Sequence, residues 1–164
     1  MEQNIKEYIE NGGHIDDYLM NEKGLKTGEL KGQDLSGVEL DTMGNQLHSG
    51  FDISYANLEG ANLSKHWPDL RMTNFTESNL RNAIMKDNSF MYSNFEGADL
   101  RGADLRGADM RCTNLEGADL RGANLKGTKL FGAYMMCETF KGQLDDADLT
   151  SVHEGFYCYD DRTK

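Results

Sequence analysis

The sequence predicts an all-β solenoid, a chain wound into a coil of very short strands joined by turns. Three observations predict it: a large apolar residue at every fifth position, a small residue two places before it, and glycine two places after most of them. An α-helix turns about 100° per residue and a strand alternates its faces, so residues five apart share a core in neither structure. The chain must therefore bend once in each repeat to bring every large residue to a common axis.

The large residues, which we call the centres, are predicted to form the core. Residues two apart on a strand point to the same face, so the small residue before each centre points inward as well. The interior is then filled by side chains and leaves no room for a substrate. Fifteen centres keep strict register: Leu70, Phe75, Leu80, Met85, Phe90, Phe95, Leu100, Leu105, Met110, Leu115, Leu120, Leu125, Leu130, Met135 and Phe140.

The other positions of the repeat are predicted to face solvent or to form corners. The residues directly before and after a centre are polar, as in Asp99 and Arg101 around Leu100. Glycine follows two places after most centres, and it tolerates the backbone angles of a tight turn. Each position of the repeat thus has a physical role.

This A(D/N)LxG pattern resembles the pentapeptide-repeat family over about residues 25–40 and 51–151, most densely in residues 68–142. The resemblance implies a right-handed quadrilateral β-helix with about twenty residues per coil. The five-residue period alone leaves three and four sides open. With four sides, Leu80, Leu100 and Leu120 would stack in one column at about 4.8 Å per coil.

Three parts of the chain are predicted. In residues 1–24, Ile5, Tyr8 and Ile9 share one helical face and Gly12 ends the helix, which predicts a short helical cap over an otherwise open β-edge. Residues 25–151 form the β-helix, with register breaks near residues 41–52, 64–69 and 141–148. Residues 152–164 form an aromatic and acidic C-terminal tail.

Charge and cysteine content limit the class of protein. The net charge of −11 is uneven: residues 1–69 hold 13 acids and 5 bases, residues 70–142 hold 9 and 10, and residues 143–164 hold 6 and 2. Three cysteines without paired spacing favour reduced thiols. We find neither an apolar run near the roughly 18 residues of a membrane span nor a secretion signal. A cytoplasmic protein is expected.

The sequence predicts no enzyme, no cofactor and no metal site. The repeated aspartates, such as Asp104, each have an arginine two residues later on a convex wall, whereas a general acid or base needs a pocket and a shifted pKa. Cys137, His153 and Cys158 could meet near the C-terminal end, but their spacing is not diagnostic of a metal site.

Three groups of residues are candidates for partner binding. The break at residues 64–69 contains His66 and Trp67, and an exposed Trp is a recognition anchor; a Trp folded back over the coil is the open alternative. The tail contains Phe156, Tyr157 and Tyr159, which either cap the last coil or form a homodimer contact. Cations on two adjacent sides form a basic stripe, for which a solvated ladder of Asp–Arg pairs is the alternative: Arg81, Arg101, Arg121 and Lys141, then Lys86, Arg106 and Lys126.

These features predict a non-catalytic scaffold for protein–protein interaction, of unknown partner. The resemblance implies an alternative, because the Qnr-type members of the family bind DNA gyrase: a DNA-mimicking binder of gyrase or topoisomerase that protects against quinolones or toxins. The breaks here are short and do not match the Qnr loops. The repeats also carry as many bases as acids, whereas a duplex mimic should present a continuous negative flank. No direct nucleic-acid binding and no membrane binding are expected.

Overall fold

The computed structural model describes residues 5–12, 30–38, 50, 52–64, 70–136 and 157–159. It contains helix α1 (Ile5–Glu10) and two short strands, β1 (Tyr134–Met136) and β2 (Tyr157–Tyr159). The two strands pair in parallel, with Tyr134 opposite Tyr157. Single parallel β-bridges and turns make up the rest of the coil. In the described ranges, no helix is long and apolar enough to cross a membrane.

The coil has four sides and twenty residues per turn. From Asn74 onward, parallel bridges join residues twenty positions apart, as between Asn79 and Asp99, and they recur every five residues. The centres of successive coils therefore stack in four columns, which define the sides: Leu70, Phe90, Met110 and Leu130 on side 1; Leu30, Ile53, Phe75, Phe95, Leu115 and Met135 on side 2; Leu35, Leu58, Leu80, Leu100 and Leu120 on side 3; Leu63, Met85, Leu105 and Leu125 on side 4.

Each corner is a tight turn that begins at a centre. The N–H of Ala103, for example, donates to the carbonyl of Leu100 at 3.0 Å. The residue two places after the centre has positive φ, as the third position of a type II turn requires; at Gly102 and Gly122 φ is 68°. At several corners of the described chain the left-handed residue is not glycine: Tyr55, Met72, Glu77, Asn82, Asp87, Tyr92 and Cys112. The stacked neighbours hold these corners against a cost of about 1–2 kcal/mol each.

The interior is filled by the centres and the small residues. The centres from Leu70 to Met135 are at most 4% exposed, and the preceding small residues, such as Ala98 and Ala103, are fully buried. Phe140 lies outside the described residues. Burying one large centre contributes roughly 1.5–3 kcal/mol before conformational entropy is subtracted.

The first two register breaks leave the columns in line. Asp34 pairs with Asn57, 23 positions on, and Asn57 pairs with Asn79, 22 positions on. The excesses of three and two residues over a twenty-residue coil equal the extra residues that the sequence places near 41–52 and 64–69. Residues 65–69 directly precede Leu70 of side 1, whereas residues 39–49 end before Gly50, which lies at the corner after side 1 and donates its N–H to the carbonyl of Arg71 at 3.0 Å. Residues 39–49, 65–69 and 141–148 lie outside the described residues.

Helix α1 packs on the first described coil. Ile5 is fully buried and Ile9 packs against the core. The Nζ of Lys6 donates to the Oγ of Ser36 at 2.8 Å. Gly12 has φ of 85° and its N–H donates to the carbonyl of Ile9, which is typical of a glycine that ends a helix. The predicted N-terminal helix is present, and residues 13–24 lie outside the described part.

Candidate partner-binding surface

In most repeats the residue before the centre is Asp or Asn and caps the following turn. The Asp or Asn Oδ1 at this position accepts a hydrogen bond from the backbone N–H two residues later, for example from Arg101 to Asp99 at 3.2 Å and from Lys126 to Asn124 at 3.2 Å. Such Asx bonds favour turns. Sequence reasoning assigned these positions to solvent exposure only. The signal that it missed is the frequency of Asp and Asn at this position.

Four of these aspartates also bind the arginine that they precede. The guanidinium of Arg101 donates from Nε and Nη2 to the two carboxylate oxygens of Asp99, at 2.8 and 2.5 Å. The same two-point contact joins Arg106 to Asp104, and it recurs from Arg111 to Asp109 and from Arg121 to Asp119. The bidentate geometry is the strong form of this ion pair.

The ion pairs shift the pKa of the carboxyl groups downward. Hydrogen bonds from the arginine side chain are the main cause at Asp99, Asp104, Asp109 and Asp119, and partial burial opposes the shift without cancelling it. A general base at neutral pH needs a pKa near 7. A lowered pKa at a position already bonded to a cation suits a structural pair and not proton transfer.

The basic stripe occupies two adjacent sides, and much of its charge is neutralised. Arg81, Arg101 and Arg121 lie one above another on side 3, and Arg101 also lies 3.6 Å from Asp119 of the next coil. On side 4, Lys86, Arg106 and Lys126 take the equivalent positions. Lys141, which the sequence groups with the arginines of side 3, is outside the described residues. Arg101, Arg106 and Arg121 of the stripe are thus paired with an aspartate of their own coil, and Arg101 also connects to the next coil.

Two side chains of the coil that follows the second break form hydrogen bonds to the residues at its two ends. Asn88 occupies a small-residue position, where its Nδ2 donates to the carbonyl of Leu63 at 2.7 Å. The Oγ of Ser93 donates to the carbonyl of Leu70 at 2.8 Å and accepts from the N–H of Thr73 at 3.1 Å. Elsewhere in the coil, as between Ala103 and Leu100, the backbone makes this turn bond directly. Two buried polar side chains thus bond to the carbonyls of Leu63 and Leu70, on either side of residues 65–69, which include His66 and Trp67.

The tail continues the coil in part. The backbone of Tyr157 and Tyr159 belongs to β2, which adds to β1 of the same chain, with Cys158 opposite the centre Met135. This pairing is what capping within one chain requires. Phe156 lies outside the described residues.

Sequence reasoning missed an apolar surface at the corners after side 1. Met72, Tyr92 and Cys112 occupy successive left-handed corners there and are exposed, and Phe131 is exposed beside the next corner. The signal available in the sequence was the absence of glycine from three consecutive corners of one column. Among the described residues, no cluster of three or more His, Cys, Asp or Glu side chains has the arrangement of a metal site.

Comparisons with known proteins agree with this geometry. The family model for pentapeptide repeats matches residues 69–107 and 98–135. A search of curated proteins finds no match.

Three solved structures are similar to the chain. The pentapeptide repeat protein Rfr23 of the cyanobacterium Cyanothece 51142 is 21% identical, with 74% of this chain and 65% of that chain covered and a TM-score of 0.39. HetL of Nostoc sp. strain PCC 7120, involved in heterocyst differentiation regulation, is 24% identical over 78% and 62%, with a TM-score of 0.32. The plasmid-mediated fluoroquinolone resistance protein QnrB1 is 15% identical over 82% and 80%, with a TM-score of 0.38.

This chain spans less than two thirds of the length of Rfr23 and of HetL. The repeat match, the twenty-residue pairing and the buried centres agree on the architecture. Residues 69–135 are therefore pentapeptide repeats, and the coil that the structure describes is a right-handed quadrilateral β-helix.

Proposed function

We propose that the protein is a non-catalytic, rigid scaffold that binds a protein partner through its outer surface. The observation that carries the proposal is the pair of buried side chains, Asn88 and Ser93, that hold Leu63 and Leu70 on either side of residues 65–69. Burying a polar group in a core is unfavourable unless it is bonded, so these two hydrogen bonds fix the two ends of the break to the next coil.

A break held in this way supports a role for its residues in binding. Loops positioned by a rigid scaffold commonly carry function, and insertions in repeat proteins tend to fall on the binding face. We propose His66 and Trp67 as partner contacts, since Trp is enriched among residues that dominate binding energy. Arg81, Arg101 and Arg121 are proposed as a charged rim, where a ladder of ion pairs contributes to selectivity more than to affinity.

Two further elements of the proposal concern assembly and location. Phe156, Tyr157 and Tyr159 are proposed as a homodimer contact at the C-terminal end, in addition to the pairing of β2 with β1. The cytoplasm is the proposed compartment, because the exposed thiol of Cys112 is kept reduced there.

Quantitative binding tests the proposal. Crosslinked capture from cells of the source organism would identify a partner, which is then purified and titrated against the wild-type chain, Trp67→Ala and Tyr55→Asn. Tyr55 is the control, since it is an exposed aromatic residue at the corner after side 2, whereas the break directly precedes side 1. We expect Trp67→Ala to weaken binding at least about tenfold and Tyr55→Asn to leave it unchanged. Equal affinities for all three proteins would contradict the role of the break.

The alternative function is a DNA-mimicking binder of DNA gyrase or topoisomerase. Side 2 favours it, because Glu77, Glu96 and Glu116 lie there and its outward positions carry no cation within residues 70–136. The ion pairs of sides 3 and 4 oppose it, since they neutralise the flanks that a duplex mimic needs. A gyrase supercoiling assay with and without a quinolone tests this alternative. If micromolar protein neither inhibits supercoiling nor protects gyrase from the quinolone, the alternative is removed.

A further inference from the structure

An apolar strip runs along one edge of the coil, and we call it edge 1: Met72, Met91, Tyr92, Cys112 and Phe131. Met72, Tyr92 and Phe131 are 55%, 59% and 60% exposed. Contiguous exposed apolar surface of this kind is typical of an interaction site in a soluble protein. We propose that edge 1 is the docking site for an acidic amphipathic helix of a partner protein, an inference that rests on the proposed scaffold function.

Backbone hydrogen bonds make edge 1 continuous. The N–H of Met72 donates to the carbonyl of Met91 at 2.9 Å, Tyr92 donates to Arg111 at 3.1 Å, and Cys112 donates to Phe131 at 3.1 Å. The Sγ of Cys112 lies over Gly132, 3.2 Å from where a Cβ would stand. Four successive coils, joined by these backbone hydrogen bonds, thus contribute to one surface. Two of its members are methionines, whose flexible side chains adapt to a partner.

The charge around edge 1 selects an acidic partner. In residues 70–136, the outward positions of side 1 carry the cations Arg71, Arg111 and Lys129 against Asp109, which pairs with Arg111, and the sequence adds one more acid, Asp69, directly before Leu70. On the far side of the edge, the nearest positions of side 2 are the uncharged Asn74, Asn94, Asn114 and Tyr134. In a chain of net charge −11, edge 1 is therefore an apolar strip beside a net positive side. A partner with carboxylates along one flank is complementary to it.

The same charges argue against a second copy of this chain as the occupant. Two antiparallel copies paired through edge 1 would bring Arg111 and Lys129 of one copy near the same cations of the other. Like charges across an interface oppose association.

The spacing along edge 1 matches a helix. Coils follow each other at about 4.8 Å, so four coils place side chains near 0, ~4.8, ~9.6 and ~14.4 Å. Residues i, i+3, i+7 and i+10 of an α-helix rise by about 0, 4.5, 10.5 and 15 Å, within about 1 Å of those positions. Alternate residues of an extended strand are about 6.6 Å apart and lose register after one coil.

Two tyrosines provide a matched pair of variants for the test. Tyr92 and Tyr55 are 59% and 58% exposed, and both have left-handed backbone, with φ of 61° and 59°. Tyr92 lies on edge 1, whereas Tyr55 lies at the corner after side 2. Asn tolerates this conformation, so Tyr92→Asn and Tyr55→Asn remove the same ring without new strain.

The probe is a fluorescent helical peptide of about 20 residues, a length at which an isolated helix is stable enough to test. It carries Leu or Phe at i, i+3, i+7 and i+10 with Glu on both flanks, and a control peptide carries Lys in place of Glu. By fluorescence anisotropy on the full chain, we expect the Glu peptide to bind saturably and at least about tenfold more tightly than the Lys peptide. Tyr92→Asn should weaken it about tenfold or more, and Tyr55→Asn should not.

Several results would overturn the inference. They are no saturable binding of the Glu peptide, equal affinity of the two peptides, or equal effects of the two tyrosine variants. Sedimentation that shows a dimer of the wild-type chain, lost in Tyr92→Asn, would instead identify a second copy as the occupant. If the peptide fails while Trp67→Ala still weakens a captured partner, edge 1 is rejected and the scaffold function stands.

Discussion

The rings of Phe75 and Phe95 stack with centroids 4.7 Å apart and planes within 6° of parallel, although twenty residues separate them in the chain. This distance is the spacing of neighbouring strands, so the two rings report the stacking of whole coils. Phe90, from the adjacent column, meets both rings edge-on at 6.0 and 5.7 Å. The interior is thus a continuous packed column, and its perturbation is the most direct test of the fold.

Leu105→Ala should lower the free energy of unfolding by about 2–5 kcal/mol, because it opens a cavity in the column between Met85 and Leu125. Arg106→Ala, at the next residue, should change it by less than about 0.5 kcal/mol, since Arg106 is exposed. Urea denaturation followed by circular dichroism measures both. Two equally small effects would show that the inside and outside positions are assigned wrongly.

Gly102→Ala and Gly122→Ala should each destabilise the coil by about 1–2 kcal/mol, because both glycines have φ of 68° and alanine incurs left-handed strain there. At Gly102 the new Cβ would also stand 2.5 Å from the Oδ1 of Asn82, but this atom ends an exposed side chain that can turn away. At Gly122 the nearest atom is 3.9 Å away. Thermal melts of both variants measure the loss. An alanine variant as stable as the wild-type chain would argue against the left-handed corner.

Acid should destabilise the protein through Asp99, Asp104, Asp109 and Asp119. Their pKa values are lowered in the folded state by the arginine hydrogen bonds. Their contribution is therefore present above the unfolded value near 3.8 and is lost as pH falls through the lower folded values. The fourfold Asp→Asn variant should show a flatter loss of stability below about pH 4.

The same variant should remain folded at neutral pH, because Asn keeps the Oδ1 acceptor that caps the turn, as it does at Asn124. Asp99→Ala removes that acceptor and should cost about 0.5–1.5 kcal/mol. Urea titrations at several pH values measure both effects. An acid slope that survives the four substitutions would place the titrating groups elsewhere.

Asn88→Ala should destabilise the coil by about 1–3 kcal/mol, because it leaves the carbonyl of Leu63 without the bond that the side chain donates. Ser89→Ala, at the neighbouring half-buried position, serves as the control. Trypsin cleavage after Lys65 should accelerate in Asn88→Ala relative to Ser89→Ala. Equal cleavage rates would mean that Asn88 does not hold the break.

The repeat could be predicted from the sequence because its information is local. Five consecutive residues specify an inward centre, an inward small residue, two outward flanks and a corner, and the burial of Leu100, Ala98 and Arg101 follows from that order. The Asp–Arg pairs could also be predicted from the sequence, because both partners lie within three residues of each other.

Only the tertiary structure decided which residues of successive coils become neighbours, because these residues are about twenty positions apart in the sequence. The pairing of Asn88 with Leu63 and of Ser93 with Leu70 spans more than twenty residues, so no local pattern indicates it. Edge 1 likewise exists because the coil brings Met72, Tyr92 and Cys112 to one corner. The five-residue pattern by itself specifies which way each side chain points. The return of the backbone after each coil determines which side chains become neighbours, because hydrogen bonds between coils set that register.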